Sequence, residues 1–255
     1  YRRNMAWPQI NRVRALFESV GAFFYPECCQ ICGDARATAT AGYVCLSCRS
    51  RPGAIRWVEP PLCDRCGLPY SGQITSTFEC SNCHEMELEF VRARAAVVAS
   101  GLVLETIHQY KYRRALWFEP FLAELFTERA APAIQRKDWD VIVPVPLHPL
   151  KKREREFNQA EALARHLARA TGIALNVRLV RRVKSTQTQT LLSRSKRAAN
   201  MQGAFAMCSG VRLRGERIVL VDDVLTTGAT TSACAGALKA GGAGEVCVWT
   251  LARGL

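Results

Sequence analysis

The stretch "IVLVDDVLTTGATTS", residues 218–232, decides the fold. It reads as four apolar residues, two adjacent acids and a run of threonines around one glycine. A short continuous apolar run suits a strand buried on both faces, as in a parallel sheet. The small-residue stretch after it, "TTSACAGALKAGGA" (230–243), suits a helix. In open parallel α/β sheets, ligands bind outside the carboxyl ends of the strands, where Asp222 and Asp223 fall. A helix N-terminus has unpaired N–H groups and partial positive charge, so it favours phosphate. Gly228 permits close backbone approach, and Thr226, Thr227 and Thr230 add hydroxyl donors. The loop Thr226, Thr227, Gly228, Ala229 and Thr230 is therefore read as a phosphate cradle. Asp222 and Asp223 become acceptors for nearby hydroxyls, and a phosphate close to a vicinal diol is a ribose 5-phosphate.

Working outward, apolar strands alternate with amphipathic helices. Strands are predicted at 94–100, 139–148, 217–223 and 245–252, and helices at 102–114, 116–131, 158–172 and 230–243. Pro120 belongs to the first turn of the second helix or kinks it. Asn158 reads as an N-cap and Gly172 as the residue just past the helix end. Strand–helix–strand repetition implies right-handed βαβ units and a parallel α/β sheet. The expected domains are an N-terminal helical segment (1–24), a cysteine-rich module (25–86) and an α/β domain (90–255).

Eight of the twelve cysteines form Cys-x-x-Cys pairs: Cys29/Cys32, Cys45/Cys48, Cys63/Cys66 and Cys80/Cys83. Gaps of 12, 14 and 13 residues separate successive pairs. This spacing suits zinc ribbons, in which two knuckles close one tetrahedral thiolate site. Four pairs make two structural zinc sites. Sequential pairing is the simplest arrangement, with a crossed pairing as the alternative and Cys28 able to replace Cys29. Residues 25–86 hold few large apolar side chains, so metal must supply much of their folding energy, on the order of 10 kcal/mol per structural zinc. Cys208, Cys234 and Cys247 read as buried small hydrophobes.

The formal charge is +13, and it is unevenly placed. Between Lys151 and Asn200, thirteen Lys and Arg face three Glu, so this segment alone carries +10. Such an excess points to a polyanion or phosphate partner. No apolar run approaches the roughly 20 residues that span a bilayer. The stretch "RVRALFESVGAFFYPECC" (12–29) is interrupted by Arg14, Glu18 and Pro26. No signal peptide is expected, and the chain is expected to be cytoplasmic with reduced thiols. A G-x4-G-K-[ST] loop is missing, so the chain is not itself a P-loop motor.

The order apolar run, Asp-Asp, x4, Gly, x, Thr resembles the phosphoribosyl pyrophosphate (PRPP) motif of type I phosphoribosyltransferases. With "VPVPLHPLKKREREFNQAEALA" (143–164), "RRVKSTQTQTLLSRSKRAANMQGAF" (181–205) and the cysteine module, the chain resembles the ComF family. Glu156 stands where many members have Gly. The resemblance implies a parallel-sheet phosphoribosyltransferase domain behind two zinc ribbons, and a link to natural competence and DNA uptake. It places Lys151, Arg153 and Arg155 where related folds bind pyrophosphate with Mg²⁺, near His148 and Lys152. It makes 181–205 a loop closing over PRPP, with Thr186, Gln189, Arg197 and Asn200 matching by position, and it makes Arg182, Thr186 and Gln189 candidate diphosphate and loop contacts. Lys111 also matches, either lining the cleft or covering helix surface.

Three functions follow. In the first, the chain binds PRPP, or a related ribose phosphate or nucleotide, and single-stranded DNA. Lys111, Lys152, Lys184, Arg194, Lys196 and Arg197 are its candidate DNA contacts, and Tyr110, Tyr112, Trp117 and Phe157 the candidate stacking rings. The second is a Mg²⁺-dependent phosphoribosyltransferase on a nucleobase-like acceptor, although no residue stands out as the proton acceptor. The third is a PRPP-sensing adaptor for a competence helicase or inner-membrane DNA channel.

Overall fold

The structure, a computed structural model, describes residues 27–72, 78–84, 86–184, 201 and 203–255. The expected segment 1–24 lies outside them, as do Thr186, Gln189, Arg194, Lys196, Arg197 and Asn200.

Two single-turn helices, α1 (Leu46–Arg49) and α2 (Ser81–His84), belong to the cysteine-rich part. There follow β1 (Arg92–Val98), α3 (Gly101–Tyr112), α4 (Glu119–Ala133), β2 (Val141–Pro144), α5 (Pro149–Arg155) and α6 (Gln159–Thr171). The chain continues with β3 (Ala174–Leu175), β4 (Val180–Arg182), β5 (Phe205–Met207), β6 (Ile218–Leu225), α7 (Ala229–Ala240) and β7 (Val246–Arg253). Five strands pair in parallel in the order β1-β7-β6-β2-β3, and β4 and β5 form a separate antiparallel pair. The expected class, a parallel-sheet α/β domain behind a cysteine-rich module, is the one observed.

β6 lies at the middle of the sheet, and Ile218, Val219, Leu220 and Val221 are fully buried. Val219 and Val221 join the core that holds Phe118, Phe121 and Phe126, on the side of α3, α4 and α6. Ile218 and Leu220 join a second core with Phe90, Met201 and Leu238, on the side of α7. Burying each such side chain stabilises the fold by about 1.5–3 kcal/mol, so β6 has to be apolar on both faces up to the point where its acids begin. Asn158 caps α6: its Oδ1 accepts from the Ala160 amide at 3.2 Å while its Nδ2 donates to the Val145 carbonyl at 3.1 Å. Gly172 ends the helix in the left-handed region at φ 70°.

Several boundaries differ from expectation. β1 spans Arg92–Val98 rather than 94–100, and it ends early because Ser100 is already the N-cap of α3. Leu116–Phe118 is a 3₁₀ turn, and α4 begins behind it with Pro120 in its first turn rather than at a kink. α5 lies where no helix was predicted. It is short and charged, so it shows no apolar period, but Pro149 opens it and His148 caps it by accepting from the Leu150 amide at 3.3 Å.

Glu156 closes α5 in the left-handed region at φ 66°. That conformation strains every residue with a Cβ and suits glycine, the residue that the resemblance implies at this position. Glu156→Gly is expected to raise stability by roughly 1 kcal/mol, read as a higher urea midpoint at unchanged slope. Its exposed pair with Arg114 at 3.1 Å offsets little of that.

Candidate functional site

The cysteine pairs close sequentially. The sulfurs of Cys29, Cys32, Cys45 and Cys48 form one cluster and those of Cys63, Cys66, Cys80 and Cys83 the other, each with all sulfurs within 4.8 Å of one another. Cys28 lies outside both sets; its backbone instead bridges Arg36. A tetrahedral ion with Zn–S bonds of about 2.3 Å requires sulfurs about 3.8 Å apart. The separations are 3.8 Å for Cys29–Cys48 and Cys32–Cys45, 3.7 Å for Cys63–Cys83 and 3.6 Å for Cys66–Cys80. Backbone amides support the sulfurs, among them Cys45 N–H to Cys29 Sγ at 3.3 Å and Cys80 N–H to Cys63 Sγ at 3.3 Å. The donor sets fit two structural zinc ions. Of the isolated cysteines, Cys234 and Cys247 are buried and Cys208 is half-buried.

The second cluster docks on the sheet. The Ala93 amide of β1 donates to the Arg65 carbonyl at 2.7 Å, and Arg65 Nη2 donates to the Leu88 carbonyl at 2.6 Å. A Cβ on Gly67 would stand 2.6 Å from the Ala93 carbonyl oxygen, so this knuckle sits against strand backbone.

β6 runs two residues past Asp223, to Leu225 rather than the predicted 223, and Thr226 and Thr227 lead to Gly228. Gly228 adopts φ 84° as the N-cap of α7, which has no side-chain cap. A Cβ there would meet only ordinary contacts, with Leu88 and Phe90 at 3.5 Å. Within the protein the glycine is therefore required by its left-handed backbone and not by crowding from its neighbours. Thr227 Oγ1 accepts from the Ala229 amide at 3.4 Å, and Thr231 Oγ1 donates to the Gly228 carbonyl at 3.0 Å.

The two acids have different surroundings. Asp223 pairs with Lys111 Nζ at 2.8 Å, both side chains being mostly buried. Lys111 is thus held against the acid pair rather than spread over the helix surface. Asp222 Oδ1 accepts from the Asp223 amide at 2.9 Å. Burial, followed by the charge of Asp223, pushes its pKa up to about 7, against the pull of Lys111 and Arg182. Behind Lys111, Tyr110 Oη donates to Glu119 Oε2 at 2.9 Å, and Glu119 Oε1 meets His166 Nε2 at 3.1 Å. Tyr110 was singled out only as a stacking ring, and Glu119, His166 and the buried Gln159 were not singled out from sequence, since each lies on an ordinary amphipathic helix. Gln159, Lys111, Tyr110 and Asp223 line a cavity of about 10 Å³, the space of one water.

Cations stand near the acids. Lys151 and Arg155 of α5 and Arg182 of β4 are half-buried, whereas Lys152 and Arg153 are exposed. Burial lowers the Lys151 pKa, and the charges of Arg182 and Arg155 lower it further, so the three cations feel one another. Arg182 also feels the charge of Asp222. Lys184 is exposed. Among the proposed stacking rings, Tyr110 is buried against Phe157 with centroids 4.8 Å apart. Tyr112 is exposed, with Arg155 5.2 Å above its ring. Trp117 and Phe157 are half-buried.

The raised pKa of Asp222 has a stability consequence. A carboxyl that holds its proton more tightly when folded stabilises the fold below its unfolded pKa near 4, and that contribution is lost as pH rises toward 7. Asp222→Asn removes this loss. The ligand-free variant is expected to be more stable than the parent at pH 8, on the order of 1 kcal/mol or more, with the advantage vanishing at pH 4; thermal melts across that range check it. Metal analysis is expected to find two zinc ions per chain, and one after Cys63→Ser.

A double zinc ribbon domain matches residues 20–86. Competence protein F of Haemophilus influenzae is 32% identical over 227 residues, covering 82% of this chain and 96% of that protein. The DNA utilization protein YhgH of Salmonella typhimurium is 31% identical over 233 residues, covering 90% and 98%, and competence protein ComFC of Bacillus subtilis is 29% identical over 219 residues, covering 82% and 84%. Among solved structures, a glutamine PRPP amidotransferase from B. subtilis is similar at 23% identity and a TM-score of 0.33, over 51% of this chain and 25% of that one. An adenine phosphoribosyltransferase is similar at 16% identity and a TM-score of 0.33, over 56% and 74%. Those structural likenesses do not extend to ligands or activity. The paired zinc ribbons, the Asp-Asp–threonine loop on a parallel sheet and the near full-length match to competence protein F together show that the chain belongs to the ComF family of competence and DNA utilization proteins.

Proposed function

We propose that the cleft binds PRPP, or a related ribose phosphate, with Mg²⁺, and that the basic face beside it binds single-stranded DNA during DNA uptake. The observation that carries this reading is the grouping of an acid pair, the threonine loop that follows it and three mutually repelling cations, of which Arg182 feels the charge of Asp222. Thr226–Thr230 and the start of α7 receive the 5-phosphate. Asp222 and Asp223 accept hydrogen bonds from the ribose hydroxyls. Lys151, Arg155 and Arg182 receive the diphosphate, whose charge relieves their repulsion. Mg²⁺ supplies charge neutralisation on the diphosphate oxygens. The names of the relatives, competence protein F and DNA utilization protein, support a setting in DNA uptake. Exposed Lys152 and Lys184, with Arg194, Lys196 and Arg197 outside the described residues, offer phosphate contacts to a strand, and Tyr112 offers a ring.

A second reading, transfer onto a nucleobase-like acceptor, has Asp222 in its favour: a carboxyl titrating near pH 7 can take a proton at neutral pH.

Titration with PRPP and Mg²⁺ is expected to show one site per chain, with affinity falling at least tenfold in Asp223→Asn and in Lys151→Ala. No heat and no shift in melting temperature at millimolar PRPP would remove the reading. Labelled single strands are expected to bind with a steep inverse dependence on salt; salt-independent binding would exclude the phosphate contacts. Pyrophosphate release across a panel of bases, lost in the Asp222→Asn/Asp223→Asn double variant, is the result that would favour transfer over binding alone.

A further inference from the structure

The last residue of β7, Arg253, was not singled out from the sequence, where it ends an otherwise apolar strand. It is 2% exposed. Its Nη1 donates to the carbonyls of Leu225 at 2.9 Å, Thr226 at 2.6 Å and Gly254 at 2.6 Å. Its Nη2 lies 3.7 Å from the Sγ of Cys66, a member of the second cysteine cluster. A buried guanidinium needs an anionic partner. Among the described residues no carboxylate forms an ion pair with Arg253. Four thiolates around one divalent zinc carry a net charge of −2, and that group stands beside it.

The carbonyls it holds belong to the phosphate loop. In a trans peptide the N–H points away from the C=O, and the one cis bond among the described residues is Pro60-Pro61. Fixing the Leu225 and Thr226 carbonyls against Arg253 therefore directs the Thr226 and Thr227 amides away from it. Two further contacts join the same parts: the Glu89 amide donates to Ser232 Oγ at 3.0 Å, and Leu88 and Phe90 border Gly228.

We propose that Arg253 is a positioning residue that couples the Cys63/Cys66/Cys80/Cys83 metal site to the phosphate loop. Zinc at this site, and not at the first, then sets the loop in its ligand-binding form. With the metal in place, the tetrathiolate charge holds the guanidinium inward and the guanidinium holds the loop. Without it, Arg253 has no counter-charge and releases the Leu225 and Thr226 carbonyls. By linkage, a ligand that requires the held loop tightens zinc at the second site by the same factor.

The test uses the full chain and begins with hydrogen exchange, which does not depend on the ligand. Cys63→Ser is expected to speed amide exchange in 225–231 at least tenfold, whereas Cys45→Ser at the first site leaves that segment within twofold of the parent. Arg253→Met is expected to reproduce the fast exchange while metal analysis still finds two zinc ions. Should Arg253→Met fail to fold, Arg253→Lys, which keeps the charge but cannot span three carbonyls and a sulfur, is expected to raise exchange threefold or more. Parent-like exchange in a folded, zinc-loaded Arg253 variant overturns the proposal, and so does equal loosening of the loop by Cys45→Ser and Cys63→Ser. A second arm rests on the phosphorylated-ribose reading: saturating PRPP with Mg²⁺ is expected to slow removal of one zinc by a chelator in the parent and not in Arg253→Lys. Absence of PRPP binding in the parent would count against that reading alone, because the exchange arm still decides the coupling.

Discussion

Everything in this molecule is arranged around one strand that has to satisfy opposing demands. β6 is sandwiched between two apolar cores, which exclude water from Ile218 through Val221. At the very next residue the same strand presents adjacent carboxylates, groups that lose heavily when taken out of water. The fold meets this by giving each acid its own support. Asp223 receives an ammonium from α3, and Asp222 receives a backbone amide and the field of Arg182 from β4. The support is incomplete for Asp222, whose proton affinity is raised accordingly. An imperfectly satisfied carboxyl beside a helix start whose N-cap side chain is only a hydrogen is a place where a ligand can supply what the protein lacks.

The cysteine-rich part is bound to this strand by more than sequence order. Its first cluster rests on α4, where Arg49 reaches Glu124 at 2.9 Å and lies over the Phe121 ring at 4.8 Å. Its second cluster shares a core with Leu225, Ala229 and Cys234. Metal binding and the shaping of the cleft thus draw on the same contacts. A ribbon with too few apolar side chains to fold alone gains its stability from thiolate–metal bonds and from the sheet together.

Much of this was legible in the sequence, for identifiable reasons. β6, α6 and α7 carry strong local signals: an unbroken apolar run, an Asn cap with a terminal Gly, and a glycine that only a left-handed turn requires. The four knuckles follow from spacing, because Cys-x-x-Cys turns are local structures, whereas their sequential pairing and the exclusion of Cys28 had to come from the fold. Elements that were missed depend on distant partners. α5 has no apolar face to announce it, and β4 and β5 are three residues long and separated by more than twenty. The Lys111–Asp223 pair joins positions far apart in the chain, so a family match could suggest Lys111 but not its partner. Arg253 was invisible for a related reason: nothing in "WTLAR" shows that the arginine turns inward toward a sulfur.

One contact of the ribbons has a consequence for the chain outside its functional cycle. Residues 56–58 run along the outer side of β1: the Val58 amide donates to the Ala96 carbonyl at 3.0 Å, the Val98 amide to the Arg56 carbonyl at 2.7 Å, and Trp57 bridges Val97 in antiparallel fashion. They occupy the hydrogen-bonding groups that an edge strand otherwise offers to other molecules. The segment lies between the two clusters, so thiol oxidation or chelation that frees the ribbons also strips this cover. The damaged protein then presents an apolar, unpaired strand to its neighbours, and self-association is the physical outcome built into that edge.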